Sequence, residues 1–363
     1  MAVGTIRGMA TSVPVVDLGS VAADELTEVF HRVGFVVVTG HGVPGAVVDD
    51  VFAMMERFFA LPEADKLRID KTRSRWFRGW EPVGTEYTND RVDVREQIDL
   101  WTDREPVADI GNPWDRLLGP NQWMPDDVLP GHRTISLRFM DEMSRVADRV
   151  LRRLSVGLGL GDRHLTSQFG DATMSLAKFI RYPPTPAGGA GVNAHHDTGF
   201  VTVLAAGETP GLEVEHPGGE WMPVPVVPDG LVINIGEMLQ AMSGNYLVAT
   251  PHRVIAADER LSAAYFHGPS LDMPLTPLPL SAPYTERVAA SPRHRDAGFM
   301  ALRGQSGTGV GDMQGTHVAQ TYGEQLWNYF QRSYPDHPTV VAAGRPGGPS
   351  GPAGIVEGRS LVE

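Results

Sequence analysis

Three residues near the middle of the chain have the types and spacing to hold a metal ion. His195 and Asp197 lie in Val192-Asn193-Ala194-His195-His196-Asp197-Thr198-Gly199-Phe200. One residue separates them, so on an extended segment both side chains share a face. The third ligand, His252 in His252-Arg253-Val254, has to come from a distant strand brought alongside. Two imidazoles and one carboxylate with other positions open suit Fe(II) that works on O2. Beyond them, Arg260 and Ser262 also share a face, and a guanidinium fork matches a carboxylate with two charge-assisted bonds. The plain alternatives are a core histidine at 252 and a surface pair between Arg260 and Glu259. His196 alternates to the opposite face and is not expected as a ligand. His41 is expected to be structural in a Gly-His-Gly turn. Asn234 and Gln240 are expected as strand residues or supporting partners of the site rather than reactants, since a metal-bound histidine needs its other nitrogen hydrogen-bonded.

The totals are consistent with that chemistry and exclude others. With no cysteine in 363 residues, thiolate nucleophiles, Fe–S clusters and Cys-based zinc sites are ruled out, and any metal must sit on His, Asp or Glu. A net charge of -13 without a strong basic stretch argues against a nucleic-acid partner. Hydrophobic content of 42% and charged content of 21% are those of an ordinary globular protein. No apolar run approaches the ~18 residues of a membrane span. Met1 to Asp17 lacks a signal-peptide pattern, so a cytoplasmic, soluble protein is expected.

The elements that must position these residues can be read in outline. Val13 to Asp17 reads as a short strand, 22–32 as a helix and 34–39 as an apolar strand ending at Gly40-His41-Gly42. A helix is expected from Pro44 to about Phe59, and the stretch 76–101 reads as an aromatic loop. A long helix is expected over 131–157, with Ile135, Phe139, Met143, Val146 and Val150 as its buried stripe. From Met174 the period shortens. Strands are expected at 174–182, 199–206, 211–215, 222–226, 230–235, 246–249, 251–256 and 260–268. The fold class is mainly β with flanking helices (α+β), around a double-stranded β-helix, or jelly-roll, core. The organisation follows: 1–130 packing on the core, 131–282 the long helix and catalytic core, 283–320 an insertion, 321–341 a C-terminal helix, and 342–363 a disordered tail. The glycine-rich 306–312 fits neither a dinucleotide fingerprint nor a P-loop; a surface insertion or a lid on the site are the two readings.

In this order, HxD at 195–197, Asn234-Ile235-Gly236-Glu237, the distal His252 and Arg260-x-Ser262 resemble the Fe(II)/2-oxoglutarate-dependent oxygenases of the isopenicillin N synthase-like group. The resemblance extends to Val13–Asp17, Gly40-His41-Gly42 and the C-terminal helix. It implies Fe(II) on His195, Asp197 and His252, with 2-oxoglutarate and O2 as co-substrates. It further implies that Arg260, Ser262 and Tyr182 hold the distal carboxylate of 2-oxoglutarate, although Tyr182 could equally be barrel core. Oxidative decarboxylation to succinate and CO2 would then drive hydroxylation, desaturation or cyclisation of a substrate. Halogenases of the wider class have a small residue where this chain keeps Asp197.

Within the family, Gly236-Glu237-Met238-Leu239-Gln240, Thr250-Pro251-His252 and Arg332-Ser333-Tyr334-Pro335-Asp336 resemble the bacterial ethylene-forming enzyme. By that resemblance Glu86, Thr88, Thr198 and Arg332 are the substrate-binding candidates, Glu86 reading a cation or else forming a loop salt bridge. Tyr182 and Thr198 depart from that enzyme's pattern, so ordinary oxygenation of a small polar, amino-acid-like or natural-product substrate in secondary metabolism is expected instead of ethylene formation. An isopenicillin N synthase-like oxidase without 2-oxoglutarate, a zinc hydrolase and a non-catalytic metal-binding jelly roll are the competing readings. The expected partner is a small molecule, with no nucleic acid and no membrane, and the chain is expected to be a monomer or weak homo-oligomer.

Overall fold

The structure is a computed structural model that describes residues 12–88, 91–170, 172–185, 189–216, 218–295, 297 and 320–344. The strands are β1 (Val15–Asp17), β2 (Phe35–Thr39), β3 (Gly79–Glu81), β4 (Tyr87–Thr88), β5 (Arg91–Val92), β6 (Glu96–Trp101) and β7 (Leu176–Tyr182). They continue as β8 (Ala190–His195), β9 (Val201–Ala205), β10 (Leu212–Glu215), β11 (Trp221–Pro223), β12 (Leu231–Ile235), β13 (His252–Ile255) and β14 (Arg260–His267). Eight form one sheet in the order β1-β2-β12-β9-β14-β7-β6-β3, and four form a second in the order β11-β10-β13-β8. The two sheets face each other as a jelly roll.

Alternation sorts the larger sheet's side chains into two cores. Phe179, Val203, Ile233, Ala263 and Tyr265 point outward onto the helices, where Phe139 of the long helix His132–Gly157 meets Phe179 edge-on at 5.7 Å. Ile180, Tyr182, Val232 and Phe35 point inward and meet Val192, Leu212, Val214 and Val254 of the smaller sheet. Both faces are covered, so these strands read as almost unbroken apolar runs. The polar residues that interrupt the runs on the inner face are therefore conspicuous: Thr202, Asn234, Arg260, Ser262 and Lys178.

Several expectations hold closely: helices Ala23–Arg32, Gly45–Phe59, His132–Gly157 and Tyr322–Ser333 match their sequence outlines. Others need correction. The stretch 76–101 is not all loop, since β3 and β6 join the larger sheet; with β1 and β2, the region before residue 130 extends the core's own sheet. The expected strand 246–249 is a loop whose backbone is held by the Phe30 carbonyl (3.3 Å) and the Gln240 side chain (2.7 Å) instead of a neighbouring strand. A short buried helix, Glu237–Met242, follows β12 where the sequence outline assigned no element. At the start of the expected patternless insertion, Ala282–Ala290 and Pro292–Arg295 are helices. Proline falls in the first turn of each, where its missing N–H costs no hydrogen bond. Pro338–Ala343 is likewise helical, at the edge of the expected tail. The glycine-rich 306–312 and residues 345–363 lie outside the described residues. Among the described residues no helix is long and apolar enough to cross a membrane.

A buried ionic cluster joins the N-terminal strands to the C-terminal helix. The Lys71 ammonium donates to Glu81 (2.8 Å), Asp99 (2.7 Å) and the Tyr334 hydroxyl (2.6 Å). Burial lowers its pKa, but Asp99, Glu81 and Glu86 together hold it above the ordinary lysine value. Burial raises the Glu81 pKa in spite of Lys71. Removing the ammonium in Lys71→Met leaves two carboxylates buried without it, which should cost about 3–5 kcal/mol at neutral pH. Carboxyls whose folded pKa lies above the unfolded value bind more protons when folded, so this loss should shrink as pH falls toward 5. Urea unfolding midpoints of wild type and Lys71→Met at two pH values check both the size and the sign.

Candidate active site

His195 closes β8 and His252 opens β13, and the antiparallel pairing sets them directly opposite one another. Their ring centroids are 4.2 Å apart. Asp197, just beyond β8, brings Oδ1 to 3.8 Å from His195 Nε2 and 3.6 Å from His252 Nε2. One ligand atom from each of the three lies within 4.8 Å of the others, so the sequence-predicted trio converges.

The orientation of each ligand has a cause. His195 Nδ1 bonds to the Asn193 carbonyl (2.8 Å) and His252 Nδ1 to the Thr250 carbonyl (3.2 Å). A carbonyl can only accept, so the proton sits on Nδ1 and each Nε2 turns a lone pair toward the centre. On Asp197, Oδ2 accepts from Thr202 Oγ1 (2.5 Å) and Asn234 Nδ2 (2.6 Å), leaving Oδ1 for the histidine side. Asn234 is thus a strand residue that supports the carboxylate of the trio, as a partner and not a reactant, whereas Thr202 was missed. The signal for Thr202 was its inward position on β9 in the otherwise apolar Val201-Thr202-Val203-Leu204.

Asp197 is held from its backbone as well. The Glu237 N–H bonds to its carbonyl (2.8 Å), and Gly236 N–H bonds to Phe200 (2.9 Å). A Cβ on residue 236 would stand 2.2 Å from the Gly199 carbonyl oxygen, so only glycine permits this approach. His196 stands outside the trio, with Nδ1 3.3 Å from Glu237 Oε1. His41 is structural: Nε2 meets the Asp229 carbonyl and Nδ1 accepts from Val43 N–H.

The electrostatics suit a divalent metal. Removal from bulk water pushes the His195 pKa down to about 3, with His252 adding to the effect, and burial lowers that of His252. Burial opposes ionisation of Asp197, but His252, His195, Thr202 and Asn234 outweigh it and hold the carboxyl below its ordinary value. The trio is thus two neutral imidazoles and one carboxylate, the form in which such groups can hold Fe(II).

Arg260, at the start of β14, pairs in register with Tyr182 on β7, and its guanidinium carbon lies 5.2 Å from that ring. The residue is 2% exposed, yet Nε and Nη1 are buried with no hydrogen-bond partner among the described residues. Burial lowers its pKa, with Tyr182 opposing. Glu259 does not pair with it; that carboxylate goes to Arg181 (2.6 Å). A buried cation with two unsatisfied nitrogens is costly unless an anion completes it, and a dicarboxylate such as 2-oxoglutarate has the chemistry to do so. Ser262 is buried one pleat further along the same face.

The substrate candidates fall into two groups. Thr198 follows Asp197 directly. Arg332 lies on the C-terminal helix with an exposed side chain; partial removal from water lowers its pKa, with Tyr329 and Glu237 opposing. Glu86 belongs instead to the ionic cluster: it accepts from Lys178 (3.0 Å), Tyr334 (3.1 Å) and Arg95. Thr88 donates to Asp93 (2.6 Å). Lys178, Arg95 and Asp93 were not foreseen.

Two family models match the chain. Residues 13–126 match the non-haem dioxygenase in morphine synthesis N-terminal model, and residues 171–269 match the 2OG-Fe(II) oxygenase superfamily. A 2-oxoglutarate-dependent dioxygenase, frbJ, of Dothideomycetidae sp. is 30% identical over 280 residues, covering 72% of this chain and 75% of that protein. A homoarginine-6-hydroxylase of Arabidopsis thaliana is 27% identical over 264 residues, covering 70% of this chain and 71% of its own. Among solved structures, a 2OG-Fe(II) oxygenase family protein from Caulobacter crescentus superposes with a TM-score of 0.69 at 23% identity, covering 89% of this chain and 99% of that one. A dioxygenase for auxin oxidation in rice gives 0.59 at 25% identity, covering 82% and 97%. A fold built around a convergent His-Asp-His trio and a relative at this identity and coverage lead to one conclusion: the chain belongs to the 2OG-Fe(II) oxygenase superfamily and is an Fe(II)- and 2-oxoglutarate-dependent dioxygenase.

Proposed function

We propose that this dioxygenase hydroxylates, desaturates or cyclises a small polar, amino-acid-like substrate. In this reading His195, Asp197 and His252 hold the iron, Arg260, Ser262 and Tyr182 hold the distal carboxylate of 2-oxoglutarate, and Thr198, Arg332, Glu86 and Thr88 border the substrate. The bound iron and 2-oxoglutarate supply the oxidising power, with succinate and CO2 as by-products. The protein's own part is orientation: Thr202 and Asn234 aim Asp197, the backbone carbonyls of Asn193 and Thr250 fix both imidazoles, and Arg260 anchors the diacid.

The observation that carries the reading is the pair of orphaned nitrogens on buried Arg260, set on the inner face of the sheet that carries Thr202 and Asn234. It favours a 2-oxoglutarate enzyme over an oxidase that needs no diacid. A polar substrate is supported by the charged inner wall of Lys178, Glu86 and Asp99, and by the homoarginine hydroxylase among the relatives.

Anaerobic addition of Fe(II) and 2-oxoglutarate should produce a charge-transfer absorption band. On admitting O2, at least one amino acid or related polar metabolite should raise succinate release above the substrate-free rate. Asp197→Ala removes a charged donor and should lose both the band and turnover while its circular dichroism stays that of wild type; retained turnover would take Asp197 out of the iron site.

Arg260→Ala gives a separate outcome. It should raise the KM for 2-oxoglutarate by roughly 10- to 150-fold, as loss of a hydrogen bond to a charged group worth about 1.5–3 kcal/mol implies. Succinate assays against 2-oxoglutarate concentration decide it; an unchanged KM reassigns Arg260.

A further inference from the structure

β8 carries His195 but is the outermost strand of its sheet, and among the described strands it pairs only with β13. An edge strand leaves one row of backbone groups unpaired and can shift more freely than a central one. Here the segment after β5 closes that edge. Val94 N–H donates to the Gly191 carbonyl (3.0 Å), and Asn193 N–H donates to Asp93 Oδ1 (3.1 Å). The Asn193 side-chain amide reaches the same oxygen (3.0 Å). The carbonyl of Asn193 is also the group that fixes His195 Nδ1.

Asp93 is fully buried and is fastened from its other side. Its Oδ2 accepts from Thr88 Oγ1 (2.6 Å) and is ion-paired with Arg95 Nη2 (3.1 Å), and Arg95 in turn bonds to Glu86. The Asp93 N–H closes the turn onto the Glu86 carbonyl (3.0 Å). A continuous set of bonds therefore runs from the ionic cluster through Asp93 and Asn193 to the imidazole of His195. We propose that Asp93 is a positioning residue for the metal centre, latching the free edge of β8 through Asn193 and so fixing where His195 presents Nε2. The latch rests on His195 being a ligand. Partners that orient a metal ligand typically change metal affinity by about 10- to 100-fold when removed.

The test uses metal-free full-length protein titrated with Co(II) alone, followed by its visible absorption. Asp93→Ala should raise the Co(II) Kd about tenfold or more. Asn193→Ala, which keeps the backbone bond to Asp93 and loses the side-chain amide's bonds to Asp93 and to the Arg91 and Val92 carbonyls, should raise it less, by about threefold. Tyr334→Phe removes a hydroxyl from the far side of the same cluster and should leave the Kd at the wild-type value. A folded Asp93→Ala protein with wild-type Kd overturns the latch, as does a Tyr334→Phe effect equal to that of Asp93→Ala, which would signal general loosening. If Asp93→Ala does not fold, Asn193→Ala decides alone: a weakened Kd supports the latch and an unchanged one overturns it. Failure of wild type to bind Co(II) removes the ligand assignment and the latch with it.

Discussion

The site depends first on one strand pairing. β13 lies antiparallel to β8 with His252 across from His195, and no other register brings both imidazoles to the same spot. A slip of one residue would turn His252 to the other face and Arg253 toward the centre. The register is defended from two sides. Val254 and Val192 are opposite one another and lie in the inner core, so a slip would also expose apolar surface. Phe35 of the larger sheet meets the His252 ring edge-on at 5.1 Å and fixes it from across the barrel.

The larger sheet answers with a second constraint. Its inner face is apolar except where a polar side chain has a specific partner or awaits one. Thr202 and Asn234 are opposite each other on β9 and β12 and together use up one oxygen of Asp197. Arg260 and Tyr182 are opposite each other on β14 and β7, and there the protein leaves the donors incomplete. The contrast is informative: the chain satisfies its own buried carboxylate and leaves its buried guanidinium for something else to satisfy. Unpaired buried charge is too costly to persist as an accident of packing.

What could be read from the sequence follows from how local each signal is. HxD spacing, Arg260-x-Ser262 and the long helix stripe are short-range patterns, and each appeared where expected. β8 went unnamed as a strand because Ala190-Gly191-Val192-Asn193-Ala194 has little apolar alternation; its edge is held by Asp93, about a hundred residues away in the chain. The helix Glu237–Met242 is buried throughout, so it shows no amphipathic period. The pairing of Lys71 with Glu81, Asp99 and Tyr334 spans up to 263 residues and leaves no trace in any window. Glu86 has two readings in the sequence, a cation-binding carboxylate or a loop salt bridge, because a lone carboxylate in a loop does not announce its partners.

The partners of Glu86 bear on how a substrate could be recognised. An ionised carboxylate offers about four lone-pair directions. Lys178 and Tyr334 take Oε1, and Arg95 takes Oε2, so about one direction remains. Burial raises the Glu86 pKa, but Arg95, Lys178 and Lys71 overcome it and hold the group well below its ordinary value, so it stays charged and committed. A guanidinium or ammonium arriving from solution cannot form a two-pronged bond there without displacing an internal cation. Displacing Arg95 would also release Asp93, and with it the edge of the strand that carries His195. On the proposed reading, a charged substrate taken up at this loop would act on the position of His195 through the same few bonds.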